Sequence, residues 1–121
     1  MSDMYPGMIT EWVVLDASGS DDDDVTVTKA AEAGKSHFIT FVATSNDNTG
    51  SVAGGAVKMT VKDGSGKTYY SGWPSDVDNS PCHINFPYPL KIDDGDSVII
   101  AATMPGSSDD QCEVVMGGFT R

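Results

Sequence analysis

Short apolar runs, each closed by a cluster of turn-forming residues, recur along the whole chain and constrain its fold more than any other feature. Eight such runs can be marked, at Thr10 to Asp16, Val25 to Thr28, Ser36 to Thr44, Ala56 to Lys62, Lys67 to Trp73, Cys82 to Phe86, Val98 to Met104 and Cys112 to Thr120. About eight short strands with evenly spaced turns are typical of an antiparallel sandwich or barrel. We expect an all-β, single-domain antiparallel β-sandwich of the jelly-roll type.

The segment "AVKMTVK" has the clearest strand pattern. Val57, Met59 and Val61 alternate with polar residues that include Lys58 and Lys62. Because successive side chains of a strand point to opposite faces, the three apolar residues should face the core.

Three other segments predict local structure at turns. In "DGSG", Gly64 and Gly66 favour a hairpin turn, since glycine takes positive φ without a Cβ clash. In "PYPLKI", residues 87–92, the prolines should interrupt pairing, because proline has no amide hydrogen for a ladder. The segment "TKAAEAGK", residues 28–35, predicts about one helical turn that Gly34 ends.

The length of 121 residues fits one domain with its own core, which we place at residues 10–121 after an N-terminal arm at residues 1–9. The first residues contain no basic segment followed by an apolar one, and no apolar run is long enough to cross a membrane. We therefore expect a complete gene product, made and kept in the cytoplasm, without a membrane partner.

The chain is strongly acidic. Seven Lys and Arg residues against eighteen Asp and Glu residues give a formal net charge of −11. Such a chain repels phosphate backbones, so nucleic acid is not an expected partner. The acidity favours solubility first, and it leaves a basic partner or a cation open as alternatives.

The two cysteines, Cys82 and Cys112, fit neither a metal-binding spacing nor a disulfide-rich scaffold. In the usual eight-strand jelly-roll order, the sixth and eighth strands flank the third. The two cysteines would then lie about 9 to 10 Å apart, which is too far for a disulfide. We expect both to be reduced and buried.

The residues that could perform chemistry do not form a recognisable catalytic pattern. His37 and His83 are the two imidazole bases, and neither lies in a nucleophile-elbow motif or in a zinc-ligand spacing. We interpret both as ordinary surface or strand-end residues. No enzymatic activity, cofactor or metal is expected.

Acidic loops and neighbouring aromatic residues leave two binding alternatives open. Asp21 to Asp24, Asp76 to Asn79 and Asp93 to Asp96 supply the oxygen ligands that calcium prefers, although none has the EF-hand pattern. Solvated charged turns explain them more simply. Tyr69, Tyr70 and Trp73 could stack against sugars, but alternation places at least one of these rings in the core.

Four segments together resemble a known family: "KAAEAGKSHFIT", "VKDGSGKTYYSG", "CHINFPYPL" and "VVMGGFTR". The order of these segments and their pattern of strands and turns resemble those of small β-sandwich proteins encoded among tailed-bacteriophage structural genes. Members of that family serve as capsid decoration, or cement, proteins. The resemblance covers about residues 29–121. It implies a structural protein of the virion surface that binds the major capsid protein between its subunits, commonly as a homo-oligomeric trimer. A sugar- or receptor-binding virion module is the alternative.

The N-terminal arm is the candidate partner-binding segment. It contains Met1, Met4, Tyr5, Pro6 and Met8, with too little apolar length for a core strand. Methionine and tyrosine adapt to and anchor in interfaces. We therefore expect these five residues to contact a shell or a sister subunit if the terminus is not simply untethered.

Overall fold

The chain folds into two antiparallel β-sheets. The computed structural model describes residues 10–18, 24–48, 57–75, 82–103 and 110–121. The strands in these ranges are β1 (Thr10–Ser18), β2 (Asp24–Lys29), β3 (His37–Asn48), β4 (Val57–Asp63), β5 (Thr68–Ser75), β6 (Cys82–Lys91), β7 (Val98–Thr103) and β8 (Asp110–Thr120). The predicted all-β sandwich of about eight strands is confirmed.

The sheet orders are β1-β8-β3-β6 and β2-β7-β4-β5. The first strand therefore pairs with the last, the second with the seventh, the third with the sixth, and the fourth with the fifth. Both β8 and β6 lie beside β3, as the argument about the cysteines required.

The core lies between the two sheets. Its buried apolar members are Val25, Val27, Ile39, Val42, Met59, Val61, Ile92, Val98, Ile100, Ala102, Val114 and Met116. Met59 and Val61 are fully buried while Lys58 and Lys62 are exposed, which confirms the alternation predicted for this strand. Burying each large side chain of this kind stabilises the fold by roughly 1.5 to 3 kcal/mol. The side chain of Val57 lies outside the described part of the chain.

The β4–β5 hairpin forms where "DGSG" predicted it, but only one of its glycines has positive φ. Gly66 has φ 93°, whereas Gly64 is not among the residues with positive φ. The expectation for Gly64 was therefore wrong. The Asp63 carboxylate accepts hydrogen bonds from the backbone amides of Ser65 and Lys67, at 2.9 Å each. This side chain closes the turn, so one left-handed residue is enough.

The segment after β2 forms a turn and no helix. One hydrogen bond, from the Lys35 amide to the Glu32 carbonyl at 3.1 Å, closes it, and Gly34 with φ 73° ends it. The predicted helical turn is thus reduced to a single bend that leads into β3.

The prolines of β6 interrupt pairing without ending the strand. Asn85 lies opposite Phe41 and Leu90 opposite Ile39, so the β3 register skips residues 86–89, which include Pro87 and Pro89. The strand then continues to Lys91. Because β6 is at the edge of its sheet, the missing amides affect only one ladder.

None of the described residues forms a helix that is long and apolar enough to span a membrane. The predicted arm, residues 1–9, lies outside the described residues, and so do Met1, Met4, Tyr5, Pro6 and Met8.

Candidate docking surface

The outer face of the β1-β8-β3-β6 sheet carries apolar side chains where solvent-facing polar ones would be expected. They are Val13, Phe38, Phe41, Val115 and Phe119, and we call this set the aromatic face. Each alternates with an inward neighbour of the core, such as Ile39, Val42 or Met116. Val13 is 67% exposed, and the other four are half-buried. Contiguous apolar surface of this kind often marks an interaction site.

The strand register gathers these residues into adjacent rows. Phe119 on β8 lies between Glu11 on β1 and Phe38 on β3. The rings of Phe38 and Phe119 stack with centroids 4.8 Å apart and an interplanar angle of 11°. The guanidinium of Arg121 lies 5.8 Å from the Phe38 ring centre. The rings thus form one connected apolar centre with charged groups at its rim.

A β-bulge places both phenylalanines of "FITF" on this face. Phe38 and Phe41 are three residues apart, so regular alternation would put them on opposite faces. On β3, Ile39 lies opposite Gly118 and Phe41 opposite Gly117, which leaves Thr40 as an extra residue. The Thr40 hydroxyl donates to the Gly117 carbonyl at 3.2 Å.

The two glycines of β8 make room for the bulge. A Cβ at Gly118 would overlap the backbone carbonyl of Phe38, and a Cβ at Gly117 would overlap the ring of Phe41. The ring of Phe41 therefore lies close to the strand, and a shallow groove runs between Phe41, Val13 and Phe119. The pair "GG" inside a strand was the sequence signal for this close approach.

The outer face of the other sheet provides an internal comparison. Thr26, Thr28, Thr60, Ser71 and Lys62 point away from the core there, interspersed with Ile99 and Ala101. Hydroxyl groups dominate that surface, as is common for a sheet that faces water. The sandwich is therefore asymmetric, with one apolar and one polar outer face.

His37 does not lie on the surface. It begins β3, which confirms the strand-end alternative of the prediction, and it is only 2% exposed. Its Nε2 lies 2.7 Å from the Ala30 carbonyl, which can only accept, so Nε2 carries the hydrogen. Its Nδ1 accepts from the Thr120 hydroxyl at 2.7 Å, and that hydroxyl accepts from the Trp12 indole at 2.9 Å.

This network places the Thr120 hydroxyl beside the oriented imidazole of His37, and both groups are buried in the described part of the chain. Thr120 is also only 2% exposed. The Trp12 ring closes the site, with its centroid 5.9 Å from that of His37. The arrangement ties β1, β3 and β8 together at one end of the sheet.

His83 has the exposed position that the sequence predicted. Its ring stacks on Phe41 at 5.1 Å, and its Nε2 lies 3.0 Å from the Asn85 amide oxygen. It extends the aromatic face towards β6.

One predicted acidic loop meets a buried carboxylate from another strand. Asp93 and Asp96 place carboxylate oxygens within 4.8 Å of Asp63. Burial would raise the pKa of Asp63, but hydrogen bonds from the Lys67 amide, the Tyr69 hydroxyl and the Ser65 and Gly66 amides outweigh it and lower the pKa. Those donors satisfy Asp63. The β4–β5 hairpin is joined to the β6–β7 turn by the Ser65 hydroxyl, which donates to the Asp96 carboxylate at 3.2 Å, and by the Lys67–Asp93 ion pair at 3.6 Å. Asp21 to Asp23 and residues 76–79 lie outside the described residues.

Tyr69 and Tyr70, two of the residues considered for sugar stacking, are partly buried and pack against the core. Tyr69 donates to Asp63 at 3.0 Å and accepts from the Asp93 amide at 3.1 Å. Burial, together with Asp63, raises the pKa of Tyr69 to about 12. Tyr70 packs edge-on against Phe86 at 5.7 Å. Both rings pack against the core, as predicted for at least one of them, and the side chain of Trp73 lies outside the described residues.

Comparison with known proteins adds no relative: neither the known family models nor the curated protein sequences contain a match to this chain.

Proposed function

We propose that this chain is a non-enzymatic structural protein of a bacteriophage virion, which decorates and cements the outer surface of the capsid by binding between capsid subunits. The observation that carries the proposal is the aromatic face, an apolar surface on an otherwise acidic and polar sandwich. The resemblance of four segments to decoration proteins supplies the class of partner, the major capsid protein.

We infer that the chain follows a jelly-roll path. The strand pairs are nested around the β4–β5 hairpin. All the remaining connections between consecutive strands pass from one sheet to the other. Such a ribbon, folded over itself, leaves two separate outer faces. One face can bind a shell while the other faces solvent.

Attachment would use apolar contacts first. Val13 and Phe41 on the aromatic face, and Met4 and Tyr5 of the arm, offer side chains that lose contact with water when covered. Acidic loops would steer approach and exclude wrong partners. Repetition around a homo-oligomer, a trimer in our proposal, would multiply a modest contact into firm attachment at the virion surface.

The test is cosedimentation of purified protein with undecorated shells. Val13→Asp places a charge at the β1 edge of the aromatic face, at a residue that is already 67% exposed, so the fold should persist. Thr26→Asp places the same charge on the exposed polar face of the other sheet and is the matched control. We expect Val13→Asp alone to lose attachment. Equal attachment of both variants would exclude the aromatic face as the docking surface.

The alternative is a carbohydrate- or receptor-binding module of the virion. One observation favours it, namely the groove between Phe41 and Phe119 with the Glu11 carboxylate at its rim. Electron microscopy of particles separates the two functions. A decoration protein covers the shell in many copies, whereas a receptor binder is restricted to a fibre or tail.

A further inference from the structure

β1 is a long and regular edge strand. Among the described residues only β8 pairs with it, and the register runs without a shift through nine consecutive pairs, from Thr10 opposite Thr120 to Ser18 opposite Cys112. The strand contains no proline and no lysine. An edge of this kind presents a row of backbone groups that another extended segment can match.

The other three edge strands are each protected against such pairing. β6 contains Pro87 and Pro89, and its register with β3 skips residues 86–89. β5 contains Pro74, and its register with β4 shifts twice. β2 has only six residues and ends in Lys29. Prolines, bulges, short length and lysines are the usual means by which proteins prevent edge-to-edge pairing, and β1 lacks all four.

A pair of hydrogen bonds just beyond β8 determines which backbone groups of β1 point outward. The backbones of Ser36 and Arg121 exchange both hydrogen bonds, at 2.9 and 3.1 Å, so Arg121 directs its amide and its carbonyl towards the β3 side of the sheet. This direction alternates from residue to residue. Thr120 and every second residue before it therefore direct theirs towards β1, which they meet at Thr10, Trp12, Val14, Asp16 and Ser18.

The intervening residues of β1 direct their backbone groups away from the sheet. They are Glu11, Val13, Leu15 and Ala17. The side chains of Glu11 and Val13 lie on the outer side, at the rim of the groove in the aromatic face, and Val13 is 67% exposed. The edge thus offers four amide–carbonyl pairs about 6.7 Å apart, with an acidic and an apolar side chain beside them.

Charge decides which kind of segment fits this edge. A second copy carries the same net charge of −11 and is repelled as it approaches Glu11. A segment of another protein that places a basic residue beside Glu11 and an apolar residue beside Val13 matches the edge in both charge and apolarity. The exposed ion pair fixes the register and adds little affinity, while backbone hydrogen bonds and the burial of Val13 hold the segment.

We propose that β1 receives an extended segment of a partner, with alternating basic and apolar residues, as the fifth strand of its four-stranded sheet. The added strand bonds to the outward backbone groups of Glu11, Val13, Leu15 and Ala17. It lies along the rim of the aromatic face and enlarges that docking surface. The identity of the segment as part of a shell subunit rests on the proposed function, whereas the strand addition itself rests on the geometry of β1.

Amide hydrogen exchange measured by NMR tests the edge in the full chain. In the free protein at low concentration, the amides of Trp12 and Val14 should exchange slowly, because they bond to β8, and those of Val13 and Leu15 rapidly. A synthetic peptide that repeats lysine-threonine-valine-threonine should slow Val13 and Leu15 several-fold and leave Trp12 and Val14 unchanged. The same peptide with glutamate in place of lysine should act only at much higher concentration.

Three outcomes of this measurement would overturn the proposal. The first is that neither peptide slows the exchange of Val13 and Leu15. The second is that the two peptides act equally, which removes the reason for a basic segment. The third is slow exchange of these two amides in the free protein, because the edge is then already covered, by a second copy if light scattering shows a dimer and by the chain itself if it does not.

Two substitutions at Val13 connect the edge to the shell. Val13→Pro removes one outward amide and keeps an apolar side chain, and the fold should tolerate it because that amide does not bond to β8. Val13→Thr keeps the amide and the branched shape and is the matched control. We expect Val13→Pro to reduce both peptide binding and cosedimentation with undecorated shells several-fold, and Val13→Thr to reduce them much less.

The two proposals fail in different ways. Shells that bind Val13→Pro and Val13→Thr equally well would overturn strand addition and leave the capsid function intact. Wild-type protein that binds the lysine peptide through Val13 and Leu15 but binds no shells would overturn the capsid function and support the edge as a site for another partner.

Discussion

His37 and His83 carry the same side chain in opposite environments. His37 is buried, and both of its ring nitrogens are hydrogen-bonded to protein groups. His83 is exposed and stacks on Phe41 at the surface. The difference arises from two partners, Ala30 in the turn before β3 and Thr120 on β8, and the second is 83 residues away, so no local pattern around His37 reveals it.

His37→Ala should destabilise the fold by about 2 to 4 kcal/mol, because it leaves a cavity and removes partners from the buried Thr120 hydroxyl and the Ala30 carbonyl. His83→Ala, the control, should cost much less, since water replaces its contacts. Urea denaturation monitored by circular dichroism measures both values. Equal, small effects would show that the His37 network contributes little to stability.

Asp63 gives the chain a predictable response to acid. Its folded-state pKa is below the ordinary value of 3.8, because four donors stabilise the carboxylate against its burial. A lowered folded-state pKa contributes stability that is fully present above 3.8 and is lost as the pH falls through the folded value. Protonation in the acid range therefore removes part of what holds the β4–β5 hairpin closed.

Asp63→Asn should lower the melting temperature at neutral pH, because the neutral amide offers one acceptor and sets its NH₂ group against donors. The difference in melting temperature between wild type and variant should be constant from neutral pH to about pH 5. It should become smaller below pH 3.8, because the wild-type carboxylate is then protonated. Melts across that pH range measure it, and Glu113→Gln at an exposed position is the control. A gap that does not depend on pH would contradict the assignment.

At the scale of elements, the strands were predictable because their pattern is local. Met59 and Val61 alternate with lysines, and period two identifies their strand without further information. The aromatic face was not predictable in that way. Phe38 and Phe41 share it only because Thr40 is inserted opposite Gly117 and Gly118, and Gly117 is 77 residues away along the sequence.

The strand order determines the redox behaviour that we expect. Cys82 lies opposite Thr44 and Cys112 opposite Asn46, on the two sides of β3. Two strand spacings and an offset of two residues put their backbones about 12 Å apart, well beyond the 7 Å limit for a disulfide. We also expect both thiols to be buried, but the side chains of Cys82 and Cys112 lie outside the described part of the chain.

A reducing agent should therefore leave the melting temperature unchanged. A native bridge between these cysteines would close about thirty residues and contribute roughly 3 to 4 kcal/mol, which is readily measured. Thiol titration in denaturant provides the second readout, with two free thiols expected for each chain. A clear decrease in melting temperature on reduction, or fewer than two thiols, would contradict this strand order.

The whole molecule combines a net charge of −11 with two unlike outer faces. Like charges on neighbouring molecules repel one another, which opposes association through the aromatic face. The sequence showed the acidity directly. It did not show that the apolar exceptions collect on one side, because that depends on which strands become neighbours.

If the protein binds shells as we propose, the salt dependence of that attachment should show which surface binds. Burial of Val13, Phe41 and the arm excludes water and is little affected by ions, whereas contacts of exposed acidic loops weaken once the Debye length falls below about 8 Å. If the aromatic face is the anchor, the amount of protein that sediments with shells at equilibrium should change little between about 0.05 M and 0.5 M salt, while the association rate falls. Thr26→Asp should behave like wild type throughout. Equilibrium attachment that collapses in high salt would instead assign the contact to the acidic loops, and Val13→Asp would then bind normally at low salt.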